Sequence, residues 1–114
     1  MIATILRQAG LAVEVHDDHF PPDARDVDWL RAVGETGWIV LTKDERIRYR
    51  RLEKQTLLAS GVRSFVLTGR DLKAAEMAAV FLAALPKMRK LLERKPGPFI
   101  ACVTRHALLR IVED

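Results

Sequence analysis

At 114 residues, with 49% hydrophobic and 30% charged residues, the chain is the size and composition of one globular domain that can bury a core without staples. One cysteine, Cys102, excludes an internal disulfide, and the longest apolar run, Met77 to Leu85, is too short to span a membrane. The net charge of +4 is compatible with a polyanionic partner. Met1-Ile-Ala-Thr-Ile-Leu6 lacks the basic lead and long apolar region of a secretion signal, so no membrane association and a cytoplasmic address are expected.

Taken in order, Ile2, Ile5, Leu6 and Ala9 fall at helical spacing and Gly10 closes that segment; Leu11–Val15 reads as a strand. His16-Asp-Asp-His-Phe-Pro-Pro22 is a polar, proline-marked loop. Asp23 or Asp26 then opens a helix carrying Trp29, Leu30 and Val33, ended near Gly34 and Gly37. Trp38-Ile-Val-Leu41 is a continuous apolar run, which suits a strand covered on both faces, and both tryptophans are expected in the core. Thr42-Lys-Asp-Glu45 has the pattern of a capping box, opening a helix that runs to about Ala59 with a basic face of Arg46, Arg48, Arg50, Arg51 and Lys54.

Gly61–Leu67 is the next strand. Thr68-Gly-Arg-Asp71 caps a helix to Leu85, Pro86 stops or kinks it, and Lys87 to Arg94 forms a short basic helical extension. After a Lys95–Pro98 loop, Phe99–Val103 and Leu108–Val112 read as strands flanking Thr104-Arg-His-Ala107, with Cys102 as a small core hydrophobe. No repeat or interdomain linker interrupts the order, which indicates a doubly wound α/β sandwich.

Ligand sites of open α/β sheets lie past the carboxyl ends of the strands, and Asp44 falls there. A hard divalent cation needs carboxylate oxygens converging from separate parts of a chain, which Asp44 and Asp26 could provide. Helix capping is the competing reading of both, since carboxylates are favourable in a first turn without any metal. A surface ion pair competes for Glu53, and a solvated position for Asp28. His16-Asp-Asp-His19 has zinc-ligating residue types but no second cluster to complete four ligands, so a polar loop is expected. The basic helix face reads equally as a phosphate groove and as a solvated surface.

The set Asp26-x-x-Trp29-Leu30, Gly37-Trp-Ile-Val-Leu-Thr-Lys-Asp44-x-x-Ile47 and Glu53 resembles the PIN-like domains related to VapC toxins, as do Gly61–Leu67 and Pro96-Gly-Pro-Phe-Ile100. The likeness runs over nearly the whole chain. It implies a three-layer α/β sandwich with a mainly parallel central sheet, and a Mg²⁺- or Mn²⁺-dependent ribonuclease. Asp44 and Asp26 would then hold the metal, with Glu53 assisting as a third catalytic acid, and Lys43, Arg46 and Arg50 would engage the RNA backbone. It also implies a cognate antitoxin protein as partner. Such domains begin with a strand that delivers a further aspartate before the first helix. This chain starts inside that helix, so residues 1–114 are expected to form a single, N-terminally incomplete domain. An impaired metal site and a homodimer across the missing strand are further expectations. A non-catalytic RNA- or protein-binding module on the same scaffold is the alternative.

Overall fold

A computed structural model describes residues 6–8, 26–43, 51–69 and 72–113. The expected strand at Leu11–Val15 and loop at His16–Pro22 lie outside them. The described elements are α1 (Asp26–Thr36), β1 (Ile39–Thr42), α2 (Arg51–Ala59), β2 (Arg63–Leu67), α3 (Ala74–Arg94), β3 (Phe99–Val103) and β4 (Leu109–Glu113), with residues 6–8 also helical. The four strands form one sheet in the order β1-β2-β3-β4; β1, β2 and β3 are parallel and β4 runs antiparallel to β3.

Side chains alternate across the pleat and so divide the core into two layers. Phe65, Leu67, Phe99, Ala101 and Val103 face α3, where Met77, Ala78, Phe81, Ala84, Met88 and Leu91 meet them together with Leu6. Phe65 and Phe99 pack edge to face with ring centroids 5.5 Å apart. Val40, Val66 and Ile100 point the other way, onto Leu30 and Val33 of α1 and Leu57 of α2. The expected three-layer sandwich with a mainly parallel sheet is therefore present. Ser64, buried on the second face, donates its hydroxyl to the Phe99 carbonyl at 3.2 Å, so its polar group is satisfied. Cys102 is a buried core thiol, as its apolar context predicts.

Three local readings are corrected. Trp38, Ile39 and Leu41 are exposed, at 38%, 38% and 36%, and only Val40 of β1 is buried. Among the described residues β1 is the edge of the sheet, so it is covered on one face rather than two; Trp29 is half-buried against the α1–α2 layer. The helix does not stop at Pro86: it is helical from Ala74 to Arg94 with Pro86 inside it, so the helical extension expected over Lys87–Arg94 is present. Its cap is Lys73, whose N–H donates to Glu76 Oε1 at 3.1 Å. Lysine has no acceptor, so only this half of a capping box forms. Finally, β4 begins at Leu109 and leaves Leu108 exposed.

Candidate functional site

Short connections fix where each strand end lies. Gly37, at φ +76, closes α1 with its N–H on the Val33 carbonyl at 3.1 Å, and β1 begins two residues later. The helix therefore folds back along the sheet from the amino edge of β1. At a rise of about 1.5 Å per residue, α1 is roughly 16 Å long, slightly more than the four-residue strand. Its first residue, Asp26, is thus carried back to the level of the carboxyl end of β1. The same construction holds for α2, which ends at Ala59 and turns at Gly61, φ +73, into β2. Glu53, the third residue of α2, lies in its amino-terminal half and so towards that same edge.

The two helices sit side by side, with Gly34 of α1 directly against the Ser60 carbonyl at the end of α2. Backbone topology thus brings the segments bearing Asp26 and Glu53 onto neighbouring helices on one face of the sheet. Lys43 follows β1 immediately and is exposed. Asp44, Arg46 and Arg50 lie outside the described residues, as do the side chains of Asp26 and Glu53. Of the basic face expected on α2, Arg51 is exposed and Lys54 half-buried, and Asp28 is exposed on α1. Among the described residues, no three His, Cys, Asp or Glu side chains gather as a metal-binding group.

The other strand ends complete the edge. Past β2, Thr68 returns to β3, its N–H donating to the Val103 carbonyl at 3.0 Å. Past β3, residues 104–108 form a tight turn. Thr104 N–H donates to the Leu108 carbonyl and Ala107 N–H to the Thr104 carbonyl, both at 2.9 Å. A Cβ added at Gly69 would stand 3.3 Å from Arg105 Cβ, which puts the exposed Arg105 beside the segment leaving β2. The sequence gives little warning of this position: Arg105 is one basic residue in a short polar connector, and its neighbours come from strand order. Lys87 of α3 reaches the same turn, its Nζ donating to the Ala107 carbonyl at 3.3 Å.

The carboxyl edge therefore carries Lys43 at one side and Arg105 with Lys87 at the other. Oxygen ligands on such an edge suit a hard divalent cation, and basic side chains flanking them suit a phosphodiester. No described helix is long and apolar enough to cross a membrane.

Comparison with known proteins agrees with this architecture. The family model described as "PIN like domain" matches residues 1–69, the part of the chain that holds α1, β1, α2 and β2. A Mycobacterium tuberculosis (strain ATCC 25618 / H37Rv) protein named "Putative ribonuclease VapC45" is 30% identical over 115 residues, covering 97% of this chain and 83% of that protein. No solved structure matches the chain.

Proposed function

The chain belongs to the PIN-like domain family, and from that premise we propose that it is a VapC-type toxin, a metal-dependent endoribonuclease that hydrolyses RNA phosphodiester bonds. What carries the reading is the family match across residues 1–69, which spans Asp26, Asp44 and Glu53, joined to the ribonuclease-named relative along almost the whole chain. We take residues 1–114 as one domain.

In this reading Asp44 and Asp26 hold a divalent cation, and Glu53 assists directly or by orienting a water. Their donors are all carboxylate oxygens, which favours a hard ion, and we narrow the choice to Mg²⁺ or Mn²⁺. When bound, such an ion lowers the pKa of a water and offsets charge on the scissile phosphate. Lys43, Arg46 and Arg50 hold the RNA backbone. A cognate antitoxin covers the toxin. Copies pair through the outer edge of β1, a contact that the exposed Ile39 and Leu41 support. The single cysteine, free of any disulfide role within the chain, supports a cytoplasmic setting.

The test is Mn²⁺ titration by calorimetry on the parent chain and on Asp44→Asn, with cleavage of a labelled RNA followed in parallel. Saturable binding and cleavage by the parent, both lost in Asp44→Asn, are the expected outcome; cleavage falls at least 100-fold. A parent chain that binds RNA but neither Mn²⁺ nor cleaves would instead identify the non-catalytic binding module.

A further inference from the structure

Resting on the nuclease reading, we infer that Arg105 and Lys87 form a second phosphate-contact point at the carboxyl edge, which carries the RNA backbone across the strand ends from Lys43. Lys43 follows β1 and Arg105 follows β3, with β2 between them. Two strand spacings separate those ends, about 10 Å. A polyanion threaded over the edge can therefore meet both cations at once, with the acid-bearing helices α1 and α2 beside its path.

Three observations carry the assignment. The turn holding Arg105 is a fixed mount. Thr104 Oγ1 accepts from the N–H groups of His106 at 3.3 Å and Leu108 at 3.2 Å, and Ala107 is locked at φ +61. A preorganised mount lowers the ordering cost of binding. Lys87 is also anchored, yet its bond to the Ala107 carbonyl uses one of three ammonium donors and leaves two for a ligand. The third is electrostatic: residues 104–108 contain no acid, and Glu76, the acid in the first turn of α3, is engaged by the Lys73 N–H. A cationic pair on the same edge as the proposed metal ligands matches a nucleic-acid backbone. An acidic protein segment would have no reason to meet that edge rather than the basic residues elsewhere on α3.

The experiment is fluorescence anisotropy with a fluorescein-labelled single-stranded RNA, in EDTA so that no cleavage intervenes, across a salt series. The chains are the parent, Arg105→Ala, Lys87→Gln, and Arg94→Ala, at the last residue of α3 about two turns beyond Lys87, as a control, each checked by thermal melting. Arg105→Ala should weaken binding about 3- to 10-fold and reduce the slope of log K against log salt by about 0.7, the share of one released counterion. Lys87→Gln should act in the same direction, and Arg94→Ala should change neither quantity. Parent-like affinity and slope in a folded Arg105→Ala would overturn the inference. If the parent still cleaves RNA with Mn²⁺, the nuclease reading survives that result; if the parent neither binds nor cleaves, both fall.

Discussion

Gly34 is the residue on which the seating of α1 against α2, the two helices proposed to bear the site, depends. A Cβ there would collide with the Ser60 carbonyl and stand 2.9 Å from Ser60 Cβ, and carbonyl and helix end cannot both give way. Alanine would be better than glycine for an isolated helix by about 1 kcal/mol. Gly34→Ala should nevertheless destabilise the protein by about 1–3 kcal/mol, because overpacking outweighs propensity. Thermal melting reads the loss directly; an unchanged or raised Tm would mean the helices separate more easily than the contact implies. The sequence ends this helix near Gly34 and Gly37; α1 runs past Gly34 to Thr36, and the end is at Gly37, the residue with positive φ. Both glycines are punctuation by composition, and only the fold distinguishes a turn from a close approach.

Among the elements, β2 and β3 are legible because β3 is a short apolar run and β2 ends in one, Phe65–Leu67, each bounded by turn residues; both are buried almost throughout. β1 was read with the same rule and came out differently. A continuous apolar run reports hydrophobicity, whereas cover on both faces requires a central place in the sheet, which is decided by residues far away in the chain. α3 shows the converse. Pro86 removes one backbone donor and crowds the preceding turn, so local rules end or kink the helix there. Burial of Met88 and Leu91 beyond it, on the same apolar face as Phe81 and Ala84, holds the helix together across the break. The exposed Pro86 thus carries a local cost that packing offsets. Pro86→Ala should raise stability by about 2 kcal/mol, seen as a higher Tm with unchanged RNA binding. A lower Tm would show that the chain has adapted to the proline.

At the scale of the whole molecule, the proposed site is a property of one edge. The strand-end position of Asp44 in the sequence is what points there. The identities of the acids came from family resemblance, since capping explains Asp26 and Asp44 equally well from spacing alone. Arg105 and Lys87 could not have been joined by reading the sequence, because they belong to different elements and meet only through the β3–β4 turn. The opposite feature of the molecule is the outer side of β1, with Ile39 and Leu41 on one face. If copies pair there, Leu41→Lys should shift the sedimentation of the parent chain from dimer to monomer while costing less than about 1 kcal/mol of stability, as charge on an edge strand opposes pairing. A parent chain that is monomeric at every concentration would remove that contact from the reading.

If copies pair through β1, the edge of the sheet among the described residues, that edge also sets how the chain ages. Strand-to-strand addition needs two molecules to meet, so loss of native protein through β1 grows with the square of concentration while ordinary unfolding grows only in proportion to it. Turbidity onset should therefore come disproportionately earlier in a concentrated sample than in a dilute one, and whatever covers Ile39 and Leu41 acts as a preservative for the fold.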